Sequence, residues 1–366
     1  MSKKELTQKK TEPLFHITKR TNISFKRAIL IRAVAILASF LLMSLAMLVL
    51  AKENPMTLIS SMFDGAFGTP LRIWILFSDT AILLGISLAL TPAFKMKFWN
   101  CGGEGQVMVG SLVAAMMMLF VGDKLPLPIL ILISLVVSTL IGAVWGLIPA
   151  IFKAKWNTNE TLFTLMMNYI AIQFVTYFLK LFGNAQGNLE PMPQFAIPKM
   201  FNGSYFLNIV LVLVICAIMY IYLRFSKQGY EISVVGESEN TAKYIGINVS
   251  KVIIRTMIIS GALCGLIGFL LVANGSCSVT TTITGGRGFT AILVSWLGKF
   301  NPIYMILTSF LVVFLQRGTS FMGEIYRLDT SMADIFIGIV LLFIIGCEFF
   351  INYKINFRKK NKGVTK

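Results

Sequence analysis

Ten apolar runs follow one another along this chain, separated by short polar connections. They are roughly Ala28–Ala51, Ile73–Phe94, Val107–Val121, Ile129–Phe152, Leu162–Leu181, Phe206–Leu223, Val252–Ala273, Phe289–Leu297, Ile303–Leu315 and Met332–Ile351. A plain helix takes about 20 apolar residues to cross a bilayer. Phe289–Leu297 is too short for that, so it reads as half of a broken span or as part of one that begins earlier. The pattern predicts an all-α integral membrane protein of about ten transmembrane helices. No long linker divides it, so residues 28–351 read as one membrane domain between a basic arm at 1–27 and a basic tail at 352–366.

Arg224 to Arg255 is the one long polar island in the middle of the chain. Within it, Ser238 to Gly246 reads as a short helix with both ends marked. Ser238 suits an N-cap, and Glu239 places an anion at the positive end of the helix dipole. Lys243 falls in the last turn, and Gly246 can end the helix in a left-handed conformation. Thr241 stands where Glu or Gln would complete a capping box. Two turns do not hold together alone in water, so this helix needs something to dock against. Ala242 and Ile245 share a face suited to a groove, with Glu237, Glu239 and Lys243 at its rim.

Composition agrees with the pattern. Of 366 residues, 56% are hydrophobic and 13% charged, against about 45–50% and 25% in soluble domains. The net charge of +17 lies between and beyond the apolar runs with no basic stripe carrying interleaved aromatics, so nucleic acid is not a partner. Cys101, Cys216, Cys264, Cys277 and Cys347 are scattered and read as small core residues. His16, the single histidine, stands far from any cysteine, and no metal site or acid–base constellation for a membrane enzyme is found.

Charge also sets orientation. With the N-terminus in the cytoplasm and ten spans, both termini are inside. Of the 33 basic residues, only Lys52, Arg72, Lys124, Lys180, Lys199, Arg287, Arg317 and Arg327 then fall outside. The longest outer loop, Phe182 to Tyr205, carries Pro191, Pro193 and Pro198 and reads as irregular surface.

Three polar features interrupt the apolar chain. In FWNCGGEGQVMVG (98–110), Gly102, Gly103 and Gly105 interrupt the backbone, and Asn100, Glu104 and Gln106 place polar groups among apolar neighbours. Broken backbone at membrane depth survives only inside protein or along a wet cavity, although a cytoplasmic turn beside Lys95 and Lys97 fits the same residues. A second glycine cluster, Gly285-Gly286-Arg287-Gly288, follows the seventh span as the first follows the second. This topology puts the two clusters at opposite membrane faces, the arrangement that an inverted repeat of spans 2–5 and 7–10 would give. The third feature begins at Asn157 and Asn159. Its Glu160, Thr164 and Asn168 share one helix face, suited either to a neutral polar solute or to helix–helix glue. Asn100, Glu104, Gln106, Asn159, Glu160, Thr164 and Asn168 are the candidate path residues. Asp79, Arg317, Glu324, Asp334 and Glu348 also lie in or near spans. There is no phosphate-cradling G-x-x-x-x-G-K-[ST] loop, so uphill transport would draw on an ion gradient or on another polypeptide.

Four ordered motifs carry a family resemblance: FWNCGGEGQVMVG, NETLFTLMMNYIA at 159–171, GYEISVVGESENTAKYIGINVSKVIIRTMIISGALCGLIG at 229–268 and GFTAILVSWLGKFNP at 288–302. With them the chain resembles the permease subunits of ABC importers for simple sugars and nucleosides, within the branched-chain amino acid/ribose-type permease superfamily. It is most similar to the nucleoside (guanosine-type) branch. Cys101 departs from the aliphatic residue usual at that position. The resemblance implies a plasma-membrane permease that is not itself an enzyme and binds no cofactor. ATP and Mg are used by a cytoplasmic ATPase partner. A second permease subunit, often different, completes the pore, and an extracellular lipoprotein delivers substrate. The segment at about 224–251 is implied to couple to the ATPase through Gly236, Glu237, Ser238, Glu239, Asn240, Ala242, Lys243, Ile245 and Gly246. An ion-coupled secondary transporter of a small polar solute is the alternative, motivated by the paired glycine clusters with Asp79 and Glu104.

Overall fold

The structure, a computed structural model, describes residues 15–20, 24–50, 55–184, 188–198, 205–274, 277–327 and 330–357. Thirteen α-helices occupy most of these residues. They are α1 (Phe25–Leu50), α2 (Pro55–Phe67), α3 (Pro70–Lys95), α4 (Gly103–Val121), α5 (Leu127–Trp156), α6 (Glu160–Phe182) and α7 (Phe206–Phe225). The chain continues through α8 (Lys227–Glu237), α9 (Glu239–Tyr244), α10 (Val249–Ala273), α11 (Arg287–Leu297), α12 (Pro302–Ile325) and α13 (Thr330–Asn352). Each apolar run falls in a helix of its own. The remaining three, α2, α8 and α9, form in segments that read as polar connections.

Among the described residues, α3, α4, α5, α6, α7, α10 and α12 are long and apolar enough to cross a bilayer. Helices α1 and α13 reach 26 and 23 residues, whereas α11 has 11 and stands as a half-span. Several helices run further than their apolar runs, α4 and α12 among them. Helix α4 begins at Gly103, so of the three glycines only Gly102 precedes it, and Glu104 and Gln106 lie in its first turn. Helix α12 continues through Arg317, which is therefore not in an outer loop. In both, intrahelical hydrogen bonding outweighs side-chain polarity, because backbone groups in hydrocarbon have few other partners.

The chain divides into two compact units, residues 1–62 with 319–366, and residues 63–318. In the first, the start of α1 lies beside the end of α13. Arg32 pairs with Glu348 at 2.5 Å, and Ile31 and Ala35 pack on Cys347 and Ile351. Beyond them, β1 (Phe15–Lys19) pairs antiparallel with β2 (Tyr353–Phe357), with Ile17 opposite Ile355 and Phe15 opposite Phe357. This ribbon joins stretches of the arm and tail and amends the all-α expectation. Five residues flanked by lysines and arginines are too few for alternation to announce a strand.

The second unit is built around α10, which lies against α3, α4 and α5. Its contact with α5 is a crossing of two small-x-x-x-small faces, Gly142 and Gly146 against Gly261 and Gly265. A Cβ at Gly265 would stand 2.3 Å from the Ser138 carbonyl oxygen, and one at Gly142 would stand 2.4 Å from that of Gly261. Gly110 of α4 and Gly268 of α10 meet as closely on the other side, at 2.5 Å from Gly265 O and 2.2 Å from Val107 O. Lipid tails are as apolar as leucine, so close backbone approach and dispersion, rather than escape from water, hold such helices together. The five cysteines are free, and all but Cys101 are buried.

The proline-rich segment after α6 is less peripheral than its sequence implies. Leu189, Met192 and Ile197 are buried. Leu189 N donates to Val279 O, and Ile197 N to Ala273 O, so the segment lies over the connection from α10 to α11.

The glycine crossing makes a direct prediction. Gly265→Ala should lower stability by about 1–3 kcal/mol, the usual cost of overpacking. Gly265→Leu should yield little folded protein. Detergent-solubilised thermal unfolding measures both.

Candidate functional site

The segment from Met96 to Gly102 turns the chain between α3 and α4 without helix. Lys97 takes a left-handed φ of 60°, and the turn closes on Ala93 O through Phe98 N. Its polar groups are tied down one by one. Asn100 is fully buried, and its amide donates to Ser260 Oγ of α10 at 3.1 Å and to Gln106 Oε1 at 3.4 Å. Its Oδ1 accepts from Gly102 N at 3.1 Å and from Gln106 Nε2 at 3.4 Å. From α6, Thr164 Oγ1 accepts from Cys101 N at 3.1 Å. Asn168 accepts from Gly105 N at 2.8 Å and donates to Cys101 O at 2.9 Å. Glycine at 105 is what lets α6 approach, since a Cβ there would sit 2.9 Å from Asn168 Cα.

Other polar residues of this stretch, the path candidates Asn159 and Glu160 among them, have local duties. Asn157 caps the end of α5 in a left-handed conformation. Asn159 caps the start of α6, its Oδ1 accepting from Leu162 N at 3.1 Å. Glu160 pairs with Lys153 of α5 at 2.9 Å. Thus Thr164 and Asn168 turn together onto the break, while Asn159 and Glu160 shape the α5–α6 junction. The polar groups of Asn100, Gln106, Thr164 and Asn168 are hydrogen-bonded to protein partners on the break, α4, α6 and α10.

Glu104 does something more specific. It is buried, and its carboxylate accepts from Gly286 N at 2.9 Å, from Gly288 N at 2.7 Å and from the Thr284 hydroxyl. Gly286 is the N-cap of α11, in a left-handed conformation with φ 73°. One anion therefore sits between the positive ends of two helix dipoles, in the first turn of α4 and at the start of α11. The two glycine clusters touch here, so they share one depth and do not lie at opposite faces. The cause is that both connections re-enter: residues 96–102 bring the chain back before α4 starts, and residues 277–286 bring it back before α11 starts.

A second carboxylate pins the same break. Asp79 of α3 accepts from Arg287 Nη2 at 3.1 Å and from Arg317 Nε at 2.6 Å, with a further contact to Arg317 Nη2. At the helical rise per residue, Asp79 lies about 24 Å from the Lys95 end of α3 and Arg317 about 22 Å from the Pro302 end of α12. From the nearer ends, Pro70 and Ile325, they are about 14 and 12 Å away, so both lie inside helices, and Arg287 joins them from the start of α11 instead of from an outer loop. Beside Asp79, Ser78 Oγ accepts from Asn274 Nδ2 at 3.0 Å and from Asn208 Nδ2 at 3.4 Å, linking α3, α10 and α7. Sequence inspection missed Ser260, Thr284, Arg287, Ser78, Asn208 and Asn274 as partners. Asn208 and Asn274 stand out only as amides at the ends of apolar runs, and Ser260 carries no signal at all.

The polar island folds as α8 and α9, each with a serine cap. Ser226 Oγ accepts from Gly229 N at 2.9 Å, and Ser238 Oγ from Thr241 N at 3.2 Å. Gly229 and Gly236 allow close approach: a Cβ at Gly236 would meet Lys95 O at 2.2 Å. Ile232, Val235 and Ala242 pack with Ala93, Met96, Ala150 and Val252 at the ends of α3, α5 and α10, and Glu231 pairs with Arg255 at 2.9 Å. Ala242 is thus fully buried and faces inward, away from the outward groove contact expected of it. The outer surface consists of Glu237, Glu239, Asn240, Lys243, Gly246, Ile245 at 50% exposure and Tyr244 at 91%.

These features define a multi-pass helical membrane protein whose unit of residues 63–318 ties two backbone breaks together and carries a small helical platform at the ends of α3, α5 and α10. Comparison with known proteins gives the family. The chain belongs to the branched-chain amino acid transport system/permease component family, whose pattern matches residues 72–345. It is therefore an ABC-transporter permease component of the plasma membrane, with ATP hydrolysis residing in a separate subunit. Among similar proteins, the guanosine ABC transporter permease NupP of Bacillus subtilis (strain 168) is 28% identical over 84% of this chain and 89% of its own. The nucleoside ABC transporter permease NupB of Lactococcus lactis is 27% identical over 86% and 91%. The glucose ABC transporter permease TsgB13 of Haloferax volcanii is 25% identical over 77% of each.

Removing the Glu104 carboxylate strands the buried Gly288 N–H and the part-buried Gly286 N–H, at about 1–3 kcal/mol for a buried group. Glu104→Ala should therefore cost about 2 kcal/mol of stability, whereas Glu104→Gln, which keeps one acceptor, should cost about half as much. Denaturant unfolding in mixed micelles distinguishes them.

Proposed function

We propose that this chain is one of two permease subunits that together form the translocation path of an ATP-driven importer for a nucleoside or a simple sugar. The single observation that carries the coupling half of this reading is α9. It is capped, anchored from below by Ala242, and turned outward at Tyr244 and Ile245. That is the geometry of a handle seated on a rigid base, suited to a groove on a cytoplasmic ATPase. The relatives named for guanosine, nucleosides and glucose support the solute class.

The proposed topology is about ten spans with both ends in the cytoplasm. Pairing of β1 with β2 supports the two ends lying on one side, and the excess of lysine and arginine supports that side being inner. An inverted repeat of spans 2–5 and 7–10 belongs to the same reading: α3 ends where α10 begins, so the breaks that follow α3 and α10 are approached from opposite ends of the bundle. In this reading Asn100, Glu104, Gln106, Thr164 and Asn168 fix the wall of the path from behind, by holding the breaks in place. Asp79, Arg287 and Arg317 supply charge within the helical bundle. An extracellular binding lipoprotein delivers the solute, and a second, different permease completes the pore.

Replacing Tyr244 by Ala together with Ile245 by Asp should reduce co-purification of the ATPase by about thirtyfold, the effect of losing a contact worth about 2 kcal/mol. The thermal midpoint of the permease itself should stay at the wild-type value. Persisting uptake in that variant would remove the coupling role of α9. In proteoliposomes holding both permeases, the ATPase and the lipoprotein, ATP should drive uptake of labelled guanosine in preference to ribose. Uptake by this chain alone, driven by an ion gradient, would favour secondary transport instead.

A further inference from the structure

At the platform end of the bundle, a cavity of about 460 Å³ opens between the ends of α3 and α7, helix α8 and the turn before α12. All three of its charged lining residues, Lys95, Arg224 and Lys299, are cations, and Tyr220, Tyr230 and Phe300 supply aromatic walls. The cations are positioned by their surroundings. Lys95 Nζ donates to Leu223 O at 3.4 Å, in the last turn of α7. The Arg224 guanidinium lies 5.9 Å from the Tyr220 ring and 6.0 Å from that of Phe225, within cation–π range. Lys299 and Phe300 are both held in the left-handed region, with φ 51° and 56°, a conformation that costs a non-glycine residue about 1–2 kcal/mol.

A cavity whose charged lining residues are all cationic attracts an anion. The position of the cavity narrows which anion. It sits at helix ends, the level where a span meets water. Next to it, Ile221 and Phe225 of α7 and Ile303 and Tyr304 of α12 are exposed apolar side chains, a surface suited to acyl chains. We propose that this cavity holds the phosphate headgroup of an anionic phospholipid, its chains lying along α7 and α12. Tyr230 and Ser233 of α8 line the same cavity, and Gly236 of α8 rests on the Lys95 backbone. The lipid therefore braces the base on which α9 stands. The proposal requires only that the bundle spans a bilayer, and it stands whichever solute is carried.

The test is native mass spectrometry of the full-length chain with phosphatidylglycerol, using phosphatidylcholine as the uncharged comparison. The wild type should retain one phosphatidylglycerol in preference. Lys95→Gln combined with Arg224→Gln should weaken that retention about thirtyfold, at about 1 kcal/mol for each cation lost. Lys124→Gln with Lys180→Gln, exposed cations away from the cavity, should leave it unchanged. Equal retention by the cavity variant, or equal retention of phosphatidylcholine by the wild type, overturns the proposal. So does displacement of the lipid by millimolar inorganic phosphate, which would make this a site for soluble phosphate. Should the variant not fold, photoactivatable phosphatidylglycerol on the wild-type chain decides the matter. Crosslinks should map to peptides 220–233 and 298–304, and crosslinks confined elsewhere overturn the assignment.

Discussion

A helix broken inside a membrane exposes backbone N–H groups where no bulk water can reach them, and much of this structure follows from how that deficit is met. Glu104 meets it at the start of α11 by accepting from Gly286 and Gly288. A charged acceptor is favoured there because hydrogen bonds to ionised groups are about twice as strong as neutral ones. Two dipole ends and the Thr284 hydroxyl help to offset the cost of burying the carboxylate. The same residue belongs to α4, so satisfying one break fixes the other. Asp79 adds a second tie one helix away, through the side chains of Arg287 and Arg317.

Those ties matter only because the helices that carry them stand close together. Helix α10 lies against α4 and α5 at backbone contact distance through glycines, and this proximity brings Ser260 within reach of Asn100. Close packing and buried polar pairing thus depend on each other. The platform of α8 and α9 extends the same core to the end of the bundle, where Gly236 meets the end of α3. A force applied at Tyr244 has a short, packed route into α3, which carries both the first break and Asp79.

Much of the plan was legible in the residues. Every apolar run became a helix, and the short run at 289–297 became a half-helix, because hydrophobic length and backbone pairing in lipid leave little choice. The cap at Ser238 and the left-handed Gly246 formed as written, since capping is decided by a few adjacent atoms. The family, too, was carried by contiguous motifs. Other features were available but went unread: the pairs Gly142/Gly146 and Gly261/Gly265 are small-residue repeats on single helices. The β1–β2 ribbon hid in segments too short for periodicity to reveal, whereas α2 is an amphipathic 13-residue segment too short to cross a bilayer, inside a stretch that reads as an outer loop.

Which polar residue meets which was beyond the sequence. Glu104, Asn168 and Ala242 were each visible as candidates, yet their partners lie dozens to nearly two hundred positions away. Ala242 looked outward on its own helix until the ends of α3, α5 and α10 claimed it. The two glycine clusters were assigned to opposite faces by counting spans, and only the re-entrant paths of residues 96–102 and 277–286 brought them together. Local chemistry determined the helices, their caps and the places where they break. Tertiary structure decided which breaks face one another, because a buried carboxylate is stable only where the fold converges enough donors upon it.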